Sequence, residues 1–307
     1  MQDIESIHQR IADVLDDREH GSRWLVRNAI TIIQELATFD FASQDEHMRL
    51  LYTSARTLAS ARPAMAALAS AMSQLLASAA SPIVINQRAT RLLGEYDTAV
   101  RHIVAHARPY LNGQLMTCSL SGTVLEVLAA CKQQITHVIV LEGRPRFEGR
   151  ETARLLQQEG LTVSLITDAQ ADIFLPQCES VVVGADSVLA NGDVLNKAGT
   201  ALLAWAAQGH HVPFDILCET LKVSSHRWSD EAAHVHDNLA LLEEKEAREV
   251  LDPPLAGVTV RNFYFDHTPN KLVRHLITEH GLLASHQIKA IASQVESNQR
   301  QLAQLYT

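Results

Sequence analysis

No run of about 18 uninterrupted apolar residues, the length a helix needs to cross a bilayer, occurs in this sequence, and the opening stretch MQDIESIHQR has no apolar signal core. The chain is therefore expected in the cytoplasm and away from membranes. Cysteine is scarce. The four present (Cys118, Cys131, Cys178, Cys218) form no CxxC pair, which argues against a zinc site or a disulfide framework and for a reducing compartment. An excess of positive charge is missing as well. The formal net charge is -9, so nucleic acid is a poor partner and an anionic ligand must be held by a local cluster of donors. No GxGxxG follows the first strand-like run, where QLMTCSLSG offers one glycine, so a dinucleotide is not expected, and no GxxxxGK[ST] occurs at all, which removes the usual nucleoside triphosphate cradle. Histidine is plentiful, at 15 residues, and His102 with His106 stand at helical spacing while His234 and His236 flank a valine. Both pairs lack the glutamate of a zinc hydrolase motif and read as surface histidines, so no metal is expected.

What is present reads as two textures. With 307 residues, 47% of them hydrophobic, the chain can bury a large core and is expected to divide in two. Residues 1–108 read as a helical N-terminal domain: Ile4 to Leu36 spaces apolar residues at three and four, and Ala55 to Ala80 is rich in alanine. The breaker cluster Pro109-Tyr110-Leu111-Asn112-Gly113 marks the boundary. Residues 109–307 then alternate apolar runs with helical stretches. The runs are QLMTC (114–118), HVIVLEG (137–143), TVSLITD (162–168), SVVVGAD (180–186) and FDILCET (214–220), a pattern that predicts a Rossmann-like parallel sheet covered on both faces. Asn191-Gly192 predicts a small hairpin after the fourth strand, and the tail from VTVRNFYFDHTP onward reads as one more strand and two helices.

In such a sheet the ligand lies beyond the carboxyl ends of the strands. The first run ends in Thr117-Cys118-Ser119-Leu120-Ser121, the second in Glu142-Gly143-Arg144-Pro145-Arg146, the third in Thr167-Asp168, the fourth in Asp186 and the fifth in Glu219-Thr220-Leu221-Lys222. A thiol, hydroxyls, carboxylates and cations thus collect at one edge. Asp186 is the sharpest of them, because a carboxyl placed directly after an apolar run is partly desolvated, and its raised pKa suits proton transfer. The other reading of Asp186 is a cap on the following turn. Cys118 is either a site thiol or a small buried hydrophobe, the fate assigned to the other three cysteines.

Three stretches, GADSVLANGDVLNKAGT, EGRPRFEGRETARLL and PFDILCETLKV, resemble the superfamily that unites the regulatory subunits of translation initiation factor 2B with methylthioribose-1-phosphate isomerase and ribose-1,5-bisphosphate isomerase. Ala61-Arg62-Pro63-Ala64-Met65, His20-Gly21-Ser22-Arg23 and FDHTPNKLVRHLITEHG are similar to further segments of it. The resemblance implies a helical domain joined to a Rossmann-like domain, a homo-oligomer (dimer or hexamer), and conversion of an aldose 1-phosphate to its ketose without metal or coenzyme. The alternative it leaves open is a noncatalytic protein that binds a sugar phosphate or nucleotide, like the initiation-factor subunits. By the resemblance, Asp186 is the catalytic aspartate, Asn196 and Lys197 its neighbouring pair, Lys222 the lysine after the fifth strand, and Arg62 a phosphate-binding arginine. Gly21, Ser22 and Arg23 form a phosphate-holding turn, and Ser121 opens a helix whose backbone N–H groups serve the same end. Arg144 is a further substrate-binding candidate. The isomerases carry threonine, histidine and cysteine after the first strand, whereas this chain reads Thr117-Cys118-Ser119, so Cys118 or Ser119 is the candidate partner of Asp186. Glu148 stands where methylthioribose-1-phosphate isomerases have glutamine.

Overall fold

A computed structural model describes residues 4–17, 20–229, 231 and 234–304. Five helices come first: α1 (Ile4–Asp16), α2 (Ser22–Leu36), α3 (Gln44–Ala59), α4 (Ala66–Leu76) and α5 (Pro82–Ala107). The α5 helix begins where Ser81 accepts the Val84 N–H at 3.4 Å and Pro82 takes the first helical position, where no N–H is needed. It is long enough to leave the helical layer. Its first half (Ile85, Ala89, Leu92, Tyr96) packs among the helices, and its second half (Val100, Ile103, Ala107) packs on the sheet with Leu115, Val138 and Val182.

After α5 the chain alternates: β1 (Gly113–Thr117), α6 (Gly122–Ala130), β2 (Ile135–Leu141), α7 (Glu148–Gln158), β3 (Val163–Ile166), α8 (Ala171–Phe174) and β4 (Ser180–Val183). A short excursion follows, β5 (Ser187–Val188) and β6 (Val194–Lys197), before α9 (Thr200–Gly209), β7 (Phe214–Leu217) and α10 (Val235–Leu241). The remainder is β8 (Phe265–Thr268), β9 (His275–Thr278), β10 (Gly281–Leu282) and α11 (Ser285–Gln304). The main sheet runs β10-β9-β7-β4-β1-β2-β3, parallel throughout except for the antiparallel edge pair β9–β10. Its strands are buried on both faces, which is why they read as apolar runs rather than alternations. The strand order reverses between β1 and β4, and a crevice opens there at the carboxyl ends.

The Asn191-Gly192 hairpin forms as the sequence predicts, with Ser187 opposite Leu195 and Val188 opposite Val194, and β8 joins it to make a second, three-stranded sheet. The tail departs from expectation. In place of one strand and two helices it makes three strands and one helix, because His275-Leu276-Ile277-Thr278 pairs in parallel with β7 along the open sheet edge. Four residues are too few to carry a period, and an available row of unpaired backbone groups decides the outcome. The closing helix α11 serves two cores: Ile288 and Ala292 pack under the sheet, while Leu302 packs among the N-terminal helices. Leu221, Tyr264 and Phe265 also join the helical core, tying the two layers at the crevice.

Candidate active site

The crevice is a cleft of about 690 Å³ whose walls come from α2, the α4 approach, α5, the β1–α6 and β4–β5 loops, the start of α7, β6, β8 and the turn after β7. It starts at the end of β1. Met116 and Cys118 both face the core under the sheet, so strand alternation continues through Cys118. The chain then turns at Ser119, which adopts a left-handed backbone (φ 70°) and faces the cleft. Cys118 is therefore not among the cleft-lining residues. Its thiol meets the Thr200 hydroxyl at 3.6 Å, and burial pushes its pKa up to about 12. Beyond the turn, Ser121 caps α6 by accepting the Val124 N–H at 3.4 Å, leaving the first N–H groups of that helix open to the cleft. Gly184, at the end of β4, makes this packing possible, since a Cβ there would lie 2.8 Å from the Ser121 hydroxyl oxygen.

Asp186 sits two residues further on, partly buried, with its backbone N–H donated to Leu195 at 2.9 Å and its carbonyl accepting from Ala66 at 3.2 Å. Burial raises its pKa, with Glu243 adding to the rise, while the Lys222, Lys197 and Arg62 charges work against it. The Arg62 loop is held against it at several points. Ser187 donates to the Ala64 carbonyl at 2.7 Å, and the Glu243 carboxylate accepts from Arg62 Nε at 3.1 Å and from the Ala64 N–H at 3.3 Å. Arg62 donates a second bond to the Asp17 carbonyl at 3.0 Å. Lys222 is equally committed: its ammonium, 3% exposed, donates to the Ala185 carbonyl at 2.6 Å and lies 3.8 Å from Glu219. Both cations act on Asp186 as fixed charges.

Asn196 and Lys197 arrive on β6. The Asn196 amide donates to Thr200 at 2.9 Å, which connects it to the Cys118 thiol behind the cleft. Lys197 pairs with Glu148 at 2.9 Å and lies over the Tyr264 ring at 4.5 Å from its centre. Glu148 opens α7 and also accepts from Ser119 at 3.4 Å. At the other wall, Gly21 caps α2, so the N–H groups of Ser22 and Arg23 have no intrahelical acceptor, and both residues line the cleft with Ser121, Gly122 and Thr123. The two helix starts are neighbours, because a Cβ on Gly21 would lie 3.8 Å from the Leu120 carbonyl. Two adjacent helix N-termini form a ready anion cradle. Arg23 closes its side by pairing with Glu126 and lying 5.8 Å from the centre of the Tyr96 ring.

Of the predicted residues, the cleft gathers Gly21, Ser22, Arg23, Arg62, Ser119, Ser121, Glu148, Asp186, Asn196, Lys197 and Lys222. Arg144 does not belong to it. Its N–H is tied to Asp168 at 2.8 Å and its guanidinium reaches outward to the Val250 carbonyl at 3.2 Å, so Arg146 takes the place at the wall. Tyr96, Tyr264 and Glu243 were missed by sequence reasoning. Tyr96 sits on an unremarkable face of α5, and Glu243 lies in a segment with no regular period; only the fold brings them in. Among the described residues, six arginines and lysines line the cleft against four carboxylates, a local excess of basic side chains in an acidic protein. Among the described residues no cluster of three or more histidine, cysteine or carboxylate side chains has the arrangement of a metal site. No helix among them is long and apolar enough to cross a membrane.

Ribose 1,5-bisphosphate isomerase of Archaeoglobus fulgidus is 33% identical over 250 residues, covering 78% of this chain and 77% of that one. The putative translation initiation factor eIF-2B subunit 2-like protein of Pyrococcus abyssi is 30% identical over 283 residues, covering 89% and 96%. The crystal structure of translation initiation factor eIF-2B from Pyrococcus horikoshii superposes with a TM-score of 0.74 at 28% identity, covering 91% of this chain and 97% of that one. Residues 18–285 match the Initiation factor 2 subunit family, and the chain belongs to that family.

Proposed function

We propose that this protein is a sugar-phosphate isomerase that converts an aldose phosphorylated on its anomeric oxygen, of the ribose 1,5-bisphosphate type, into the 1-phosphoketose. The observation that carries the reading is the setting of Asp186: a carboxyl with a raised pKa, in a cleft ringed by cations and by two helix N-termini. A sugar whose C1 oxygen carries phosphate cannot open by losing a hydroxyl proton, so its ring oxygen must receive a proton as the ring bond breaks. A carboxyl whose pKa is raised by burial is suited to deliver it. The α2 and α6 starts offer N–H donors to phosphate, and Arg146 and Lys197 offer cations further along the cleft. The relative named as a ribose 1,5-bisphosphate isomerase supports this substrate class. The protein would work in the cytoplasm as a homo-oligomer, without metal or coenzyme.

The test is to incubate the purified protein with ribose 1,5-bisphosphate, ribose 1-phosphate and 5-methylthioribose 1-phosphate and follow ketose formation. Turnover of at least one is expected, with Asp186→Asn lowering kcat by about 10²- to 10⁴-fold. Turnover of none, or an undiminished Asp186→Asn variant, refutes the assignment. A second reading, a noncatalytic binding protein, is favoured by one observation: the only thiol near the end of β1 is in the core rather than in the cleft. Tight binding of a sugar phosphate or nucleotide without conversion would select it.

A further inference from the structure

Interconverting an aldose and a ketose moves protons at two places, and a single carboxyl cannot serve both ends of the sugar at once. Cys118 is closed off from the cleft, so Asp186 needs another partner. The remaining cleft carboxylates differ in how they are engaged. Asp97 pairs with Arg27 and Glu151 with Arg154, both on exposed surface. Glu148 is mostly buried, with a side chain 15% exposed, and is fixed through one oxygen only: Oε1 accepts from Ser119 Oγ at 3.4 Å and lies 2.9 Å from Lys197 Nζ. Oε2 takes no hydrogen bond among the described residues. The side chain is further confined by Gly143, where an added Cβ would come within 3.3 Å of its Cγ. A carboxylate anchored on one oxygen, with the other open to a substrate cleft, has the arrangement of a general base.

Resting on the isomerase reading above, we propose that Glu148 is the second catalytic carboxylate, with Ser119 and Lys197 as the residues that position it. Asp186 gives its proton to the ring oxygen as the C1–O ring bond breaks and its electron pair stays on that oxygen. Glu148 Oε2 removes the proton from C2, and the C–H electron pair becomes the C1=C2 bond of an enol phosphate. The roles then reverse. Glu148 returns its proton to C1, the double-bond pair forming the new C–H bond, while Asp186 takes the proton of the C2 hydroxyl and the oxygen pair makes the ketone. Both carboxyls end as they began, and no oxidant or reductant is required. Serine at position 119 is then a hydrogen-bond donor to the base and does no chemistry of its own.

Glu148→Gln keeps the shape of the side chain and removes its basicity. On whichever probe sugar phosphate the unaltered protein turns over, this variant is expected to lose kcat by about 10²- to 10⁴-fold. Its calorimetric affinity for the same compound should stay within about threefold, and its far-ultraviolet spectrum should be unchanged. Cys118→Ala, outside the cleft, is expected to stay within about threefold in kcat. A substrate deuterated at C2 should turn over more slowly than the protiated one with the unaltered protein, because the C2–H bond is broken in the step assigned to Glu148. Failure of the unaltered protein on every probe removes the isomerase reading and this proposal with it. Turnover that survives Glu148→Gln removes the proposal alone and leaves the isomerase reading standing.

Discussion

A single left-handed residue decides which chemistry is available at the end of β1. Strand alternation sends Met116 and Cys118 to the same core, and the positive φ of Ser119 breaks that alternation one residue too late for the thiol to reach the cleft. All four cysteines are buried, and burial raises the pKa of each of Cys118, Cys131, Cys178 and Cys218, so the thiolate that would react is suppressed. Ellman's reagent added to the native protein should therefore release well under one equivalent within minutes and about four after unfolding. Rapid release of one equivalent, with loss of activity, would mean that a thiol reaches the cleft after all. Asp186 was legible in the sequence because a carboxyl directly after an apolar run has few ways to be solvated. Cys118 was not, because sequence alone does not say at which residue a strand lets go of its alternation.

The hairpin β5–β6 with β8 positions Asn196 and Lys197, and it carries a titrating group of its own. Asp266 on β8 caps α9: its Oδ2 accepts from the N–H groups of Gly199 at 2.7 Å and Ala201 at 3.0 Å. Oδ1 is buried with no hydrogen-bond partner among the described residues, and burial raises the pKa to about 7. An unfolded aspartate titrates near 4, so between about 4 and 7 the native state holds a proton that the unfolded state has released. This stabilisation is complete below about pH 4 and is lost as pH rises through 7. Melting temperature should fall from about pH 4.5 to about pH 7 and level off above that in the unaltered protein, and Asp266→Asn, which keeps an acceptor toward α9, should flatten that slope. An identical slope in the variant would assign the effect to other groups. The hairpin itself was readable from Asn191-Gly192 between apolar pairs, a local signal with a specific turn behind it. The β9 strand was not, since its four residues take their conformation from the exposed edge of β7 rather than from anything within them.

At the level of the whole molecule, the five parallel runs and the helical first third were visible in composition and period, because both faces of each strand and one face of each helix must be apolar to be buried. How the layers lock together was not visible. The Arg62–Glu243 contact joins residues 181 positions apart, and α11 reaches two cores from the far end of the chain; neither leaves a mark at short range. The local excess of basic over acidic side chains in the cleft is set within a molecule of net charge -9. A multiply charged anion approaching from afar meets the whole molecule first, and only within a few ångströms does it meet the cations. At about 10 mM salt the screening distance is about 30 Å, so the repulsive far field reaches well beyond the surface; at 0.15 M it shrinks to about 8 Å. Association of a sugar bisphosphate, followed by stopped flow, should accordingly quicken over that range of salt, the reverse of what a basic protein shows, before slowing at still higher concentrations as the cleft cations are screened in turn.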